Sequence, residues 1–214
     1  MDEPLADPSA VALYFVSKTA AQHVKVALSG EGADEFFGGY NIYKEPDALK
    51  PITSLPRPIR KAAGAVAKAV PFKIKGKNYI IRGSKDLEER FIGNAYMFTQ
   101  KDREKVLKTY TGRNTPQSVT KPFYDKVKDK DDVTKMQYID KHLWLIGDIL
   151  LKADKMSMAN SLEVRVPFLD RVVFDVARKV PTEYKVNKEN TSIKFASDTV
   201  SATTMVMPAA NATV

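Results

Sequence analysis

The 214-residue chain contains no cysteine. That excludes a disulfide, a thiolate metal site and a cysteine nucleophile. Its two histidines, His23 and His142, have no companion at ligand spacing and read as structural. No apolar run approaches the roughly 20 residues that a membrane helix needs. The N-terminus, Met1-Asp2-Glu3-Pro4, carries neither the basic region nor the apolar stretch of a signal peptide. A cytoplasmic protein with no membrane partner is the expectation. HExxH, GxSxG and GxxxxGKS/T patterns are missing, and no internal repeat is visible.

What is present suits a globular chain. Apolar residues make up 43%, enough for a core at this length. There are 34 basic and 26 acidic residues, a net charge of +8. Such a balance raises the prospect of nucleic acid or nucleotide partners. However, most lysines alternate with acids, as in 101–108 and 126–130, which reads as a solvated mixed-charge surface. The exception is Pro51 to Lys77, which holds Arg57, Arg60, Lys61, Lys68, Lys73, Lys75 and Lys77 and no acid. These bases either meet phosphate or face solvent.

Ser9, after Pro8, has the character of an N-cap for a helix reaching about His23. Lys25 to Leu28 reads as a short buried strand running into Ser29-Gly30-Glu31-Gly32, with a second helix from Ala33. Helix, strand, Gly-rich turn and helix make one α/β unit. Pro46, Pro51, Pro56 and Pro58 punctuate a connector. Helices are expected at Arg60–Val70, Asp86–Met97, Asp102–Thr109, Lys121–Lys128 and Asp170–Val180. Pro71 to Gly83 and Val164 to Asp170 read as loops. The strongest period, Asp132 to Ser157, predicts a long central helix. Ser197 to Val214 is a small, polar tail, disordered or loosely docked. One strand makes no sheet: it pairs with strands the chain lacks, or the sheet is minimal.

A strand ending in Gly-x-Gly before a helix presents backbone N–H groups to an anion at the strand's C-terminal edge. Gly30 and Gly32 permit positive φ. Glu31, Asp34 and Glu35 put three carboxylates into five residues, which alone would repel a polyphosphate. Either a Mg²⁺ ion bridges carboxylate and phosphate, or one carboxylate is a base, or Asp34 and Glu35 only compensate a helix dipole. On the long helix Asp148, Lys152 and Lys155 share a face, either as an ordinary ion pair or as a stripe turned to the site loop. Arg165 and Asp170 flank Val166-Pro167-Phe168-Leu169, with their pairing open.

Leu28-Ser29-Gly30-Glu31-Gly32-Ala33-Asp34-Glu35-Phe36-Phe37-Gly38-Gly39-Tyr40 resembles the LSGEGADELFGGY motif of glutamine-hydrolysing asparagine synthetases. Asp2 to Ser9 resembles the segment preceding it. Leu150 to Asp170 resembles the LLKxDxMSMAxSLExRxPFLD block of the same family. The likeness covers about residues 2 to 196. It implies a partial α/β ATP-pyrophosphatase domain, adenine nucleotide alpha hydrolase-like. This part would be mainly α-helical, with one short strand or few strands. Residues 1–43 would form its α/β portion, 44–196 a helical portion, and 197–214 a non-matching tail.

The resemblance also implies a chemistry. Family members activate aspartate with ATP and Mg²⁺ as β-aspartyl-AMP, and glutamine-derived ammonia then gives asparagine. By carry-over, Ser29, Gly30 and Gly32 bind ATP and Asp34 binds Mg²⁺. Glu31, Asp148 and Lys194 are catalytic. Glu31 acts at the acyl-adenylate, Asp148 is the acid partnering the loop, and Lys194, before Phe195, contacts phosphate. The family's SGGxDS nucleotide loop and its N-terminal glutaminase domain, with its cysteine nucleophile, are not in this sequence. The chain by itself is therefore expected to be inactive. Two other readings stand beside this one. One is a related amidotransferase or β-lactam-synthetase-like enzyme, against which Glu31 argues because that branch tends to carry tyrosine there. The other is a non-catalytic basic helical module, detectable by salt-dependent retention on nucleic acid.

Overall fold

A computed structural model describes residues 5, 7–72, 74–94, 98–109, 111–112, 115–187 and 205–206. They form two compact units: Met1–Tyr40 with Asp140–Val214, and Asn41–Ile139. The sequence groups 44–196 as one helical portion. Here the stretch from Asp140 onward packs with the first forty residues instead, because the strand near Val26 finds its partner there.

In the first unit, β1 (Val26–Leu28) pairs in parallel with β2 (Glu163–Arg165), Val26 opposite Glu163 and Leu28 opposite Arg165. β3 (Met205–Val206) pairs antiparallel on the other edge of β1. The sheet is thus minimal, in the order β2-β1-β3. Val164 and Arg165, which open the segment read as a loop, are strand together with Glu163, because the backbone groups of β1 need a partner. The helix Ser9–Ala20 and the turn after it set Ala20 and Val24 against Ala27 and Leu162, one buried cluster. Ser9 is the first helical residue rather than the cap, and its N–H donates to Asp7 Oδ1 at 2.8 Å. A second cluster joins Phe36, Leu145, Ile149 and Ala177.

The predicted long helix is α-helical over Asp132–Ile139, which belongs to the second unit, and over Leu151–Met158, which belongs to the first. Asp140–Leu150 is a π-helix, which hydrophobic periodicity does not reveal. The helix near the C-terminus is Arg171–Ala177, and Asp170 accepts the Val172 N–H at 2.7 Å as its cap. Arg165 pairs with Glu163 at 2.8 Å, so it does not bind Asp170.

Among its described residues the second unit has helices and no strand. The proline-rich connector contains a helix, Glu45–Thr53, whose Pro46 sits in the first turn, where a missing N–H costs nothing. Arg57–Ala69 follows, and Lys77–Gly83 is helical where a loop was expected. Leu87–Arg90 is only one turn, ended by extended Phe91, and 95–97 lie outside the described residues. Gln100–Val106 and Pro116–Asp125 complete it, each opened by a threonine capping box. Tyr43, Tyr124, Met136 and Ile139 are fully buried, and Tyr124 Oη donates to the Phe91 carbonyl at 2.8 Å. No described helix is long and apolar enough to cross a membrane.

Candidate active site

β1 carries the chain into the site. The Ser29 N–H donates to the Arg165 carbonyl at 2.9 Å, extending the parallel pairing by one residue before the turn. Gly32 then takes φ 89°, a conformation that L side chains rarely adopt, and an added Cβ would stand 2.2 Å from Leu169 Cδ2. Gly30 has no positive φ, so the left-handed step belongs to Gly32 alone in this turn. Gly32→Ala is expected to cost about 1–3 kcal/mol from strain and overpacking. Urea unfolding checks this; an unchanged midpoint would contradict the geometry.

The helix after the turn, Ala33–Phe37, has five residues and ends at Gly38 with φ 78°. So short a helix gives little dipole for an anion. It divides the three carboxylates instead. Glu31 and Asp34 line a cleft of about 480 Å³ with Ser29, Gly30, Ser9 and Lys152. Glu35 turns inward, 1% exposed, and its Oε1 accepts from Tyr40 Oη at 2.7 Å. Trp144 Nε1 donates to the same Tyr40 hydroxyl at 3.4 Å. Gly39 makes room for Asp34: a Cβ there would meet Asp34 Oδ1 at 1.8 Å.

The floor is Lys152, 7% exposed. Its Nζ donates to Asp7 Oδ2 at 2.5 Å and to Ser9 Oγ at 2.9 Å, and lies 4.0 Å from Asp148 Oδ2. Of the polar stripe, Lys152 thus lines the cleft beside the site loop, and Asp148 lies against it. Asp148 Oδ2 is buried without a hydrogen-bond partner.

Electrostatics separate the acids. Burial pushes the Glu31 carboxyl up; Lys152 opposes this, and Asp34 and Asp7 add to it. Burial raises Asp34 likewise, although its residue keeps solvent contact. Burial also raises Glu35, against the Tyr40 bond, and raises Asp148, with Asp7 reinforcing. Asp7 goes the other way. Its burial would raise it, but hydrogen bonds from Lys152 and Ser9 hold it at about 2. A depressed carboxyl stabilises the fold above its unfolded value of 3.8, and that contribution is lost as pH falls through about 2. Asp7→Asn is therefore expected to lower the unfolding midpoint at pH 6, with the deficit shrinking between pH ~4 and ~2. A deficit constant across that window would exclude the Lys152 bond as its source.

The predicted residues thus sort themselves. Ser29, Gly30, Glu31 and Asp34 meet at one cleft. Asp148 stands behind Lys152, outside the cleft lining, and Gly32 shapes the turn against Leu169. Lys194 lies outside the described residues. Ser9 and Lys152 also line the cleft, with Asp7 bonded to both, and none of the three is among the predicted site residues. The available signal was the Asp148–Lys152 spacing together with the Asp7-Pro8-Ser9 segment.

Among the described residues no three Asp, Glu or His groups converge to cage a metal. A Mg²⁺ ion held by one carboxylate plus phosphate oxygens needs only Asp34, which fits that more modest role.

The asparagine synthase family profile matches residues 1–193. The chain is 53% identical over 89% of its length to asparagine synthetase 1 (glutamine-hydrolyzing) of Bacillus subtilis. It is 50% identical over 92% to a Mycobacterium bovis protein named provisionally as an asparagine synthetase (glutamine-hydrolyzing). It is 29% identical over 86% to Amidase chyE of Penicillium rubens. In each case the chain spans about 30% of the relative's own length. No solved structure matches the chain.

Proposed function

The chain belongs to the asparagine synthase family, and from that membership we propose that it supplies the aspartate-activating half of a glutamine-dependent asparagine synthetase. The observation that carries the proposal is the cleft where Ser29, Gly30, Glu31, Asp34 and Lys152 meet at the C-terminal end of β1. That is where α/β sheets hold their ligands, and the full domain would be of the ATP-pyrophosphatase type.

In this reading ATP phosphorylates no residue of the chain. The aspartate side-chain carboxylate attacks the α-phosphorus of ATP, pyrophosphate leaves and β-aspartyl-AMP forms; ammonia from glutamine then displaces AMP to give the amide. Ser29 and the Gly30 backbone orient the nucleotide. Asp34 would hold Mg²⁺, which when bound would offset phosphate charge. Glu31 takes the proton that ammonia must lose on becoming an amide; its raised carboxyl suits a base working nearer neutral pH. Lys152 opposes the upward push of burial on Glu31 and pins Asp7, so that Ser9 and the start of the first helix wall the cleft. Asp148 holds Lys152 from the other side. Lys194 contacts pyrophosphate. The cleft is rich in carboxylates and poor in phosphate donors, so the chain alone is not expected to adenylate aspartate. The reaction takes place in the cytoplasm.

The test is aspartate-dependent exchange of labelled pyrophosphate into ATP. It is run on this chain and on the full-length protein that contains it. Exchange by the longer protein alone is expected; exchange by the isolated chain would refute the half-site reading. The alternative is a related amidotransferase that amidates a different carboxylate. Exchange that answers to another acid in place of aspartate would establish that alternative.

A further inference from the structure

Between the helices Arg57–Ala69 and Lys77–Gly83 of the second unit runs a groove of about 420 Å³. Its walls are Ala63, Val66, Ala67, Val70, Ile74 and Ile80, and its rim holds Lys75 and Lys77. Val66 is 67% exposed and Ile74 58%, with Phe72 beside them at 72%. Large apolar side chains grouped this way mark a contact surface.

The charge around the groove indicates its occupant. Pro51 to Lys77 holds seven of the 34 bases and none of the 26 acids, so nearly all of the chain's positive excess is here. The bases on the far side are already matched, Arg57 and Arg60 by Asp86 and Lys61 by Glu89. Lys68 and Lys75 have no ion pair among the described residues, and Lys77 Nζ reaches the Val70 carbonyl, a neutral acceptor. A second copy of this chain would bring like charge against like. A nucleic-acid backbone would meet apolar walls, and a flat bilayer would leave the concavity empty.

We infer that this groove docks an amphipathic helix whose apolar ridge fills it and whose flanks carry aspartate or glutamate. Leucine-sized side chains at i, i+3, i+4 and i+7 suit a groove between two helices. The lysines select the flanking charge and steer its approach.

The probe is an 18-residue fluorescent peptide with leucines at that spacing and glutamates on both flanks, titrated with the full 214-residue chain. A control peptide carries lysines in place of the glutamates. The glutamate peptide is expected to bind at least tenfold tighter than the lysine peptide. Its affinity should fall at least fivefold between 0.1 and 0.5 M salt. Val66→Asp and Ile74→Asp, both at exposed positions that leave folding intact, should each weaken it at least tenfold. Equal binding of the two peptides overturns the inference, as does indifference to both variants. It is also overturned if the glutamate peptide fails to bind because residues 188–214 or a second copy holds the groove. Sedimentation with phosphatidylserine vesicles in preference to the peptide would assign the groove to a membrane surface instead.

Discussion

Glu31→Gln in the full-length protein is expected to reduce asparagine formation about 10³-fold, within the range for losing a positioned proton acceptor, while leaving aspartate-dependent pyrophosphate exchange within a few-fold of normal. The amide keeps the shape and removes the basicity. Activation needs no base at this position, since the attacking aspartate is already ionised; only the ammonia step has a proton to shed. Exchange and amide formation should therefore part company. Equal loss of both would place Glu31 in nucleotide binding instead. The wild-type pH profile follows from burial. With the Glu31 carboxyl raised, its basic form accumulates only above the ordinary glutamate range. The acidic limb of kcat should accordingly lie higher than a free glutamate would give.

Lys152→Gln is expected to do two things at once. It leaves Asp7 and Asp148 facing each other without their shared ammonium, which should cost about 3 kcal/mol or more of unfolding free energy. It also removes the cation that, among the described residues, opposes burial at Glu31. The acidic limb of kcat should then move to still higher pH. Lys152→Arg retains the charge and should restore the limb even if packing suffers. Denaturant unfolding reads the first effect and the pH profile the second. A variant that loses stability but keeps its limb in place would make Lys152 purely structural.

The sequence was legible where chemistry and local geometry coincide. Ser29 to Gly32 had to be a turn between a strand and a helix, and it is. The sheet was not legible, because β2 lies far along the chain in a segment that Pro167 makes look irregular. Only β1's unmet backbone groups reveal it. Lys77–Gly83 escaped notice because Gly76 and the preceding Phe72-Lys73-Ile74-Lys75 alternation suggest anything but a helix start. Lys152 was seen as half of an i,i+4 pair. Its stronger partners are Asp7 and Ser9, well over a hundred positions away, and spacing along one helix cannot report them. The fate of Glu35 was hidden for the same reason: whether a carboxylate faces water or Tyr40 depends on which side of a five-residue helix is covered.

The π-helix Asp140–Leu150 carries a mechanical implication. Trp144, within it, holds Tyr40 and thereby Glu35 at the far end of the site loop. Lys152, two residues past it, holds Asp7 and Ser9 at the near end. The wider coil between these two grips works as a shim of fixed thickness, since α-helical winding of the same residues would turn one grip relative to the other. Gly147, whose Cβ would meet nothing within 4 Å, leaves space on that segment's outer side. The gauge of the cleft is thus cut into the pitch of a helical segment that lies outside the cleft's lining.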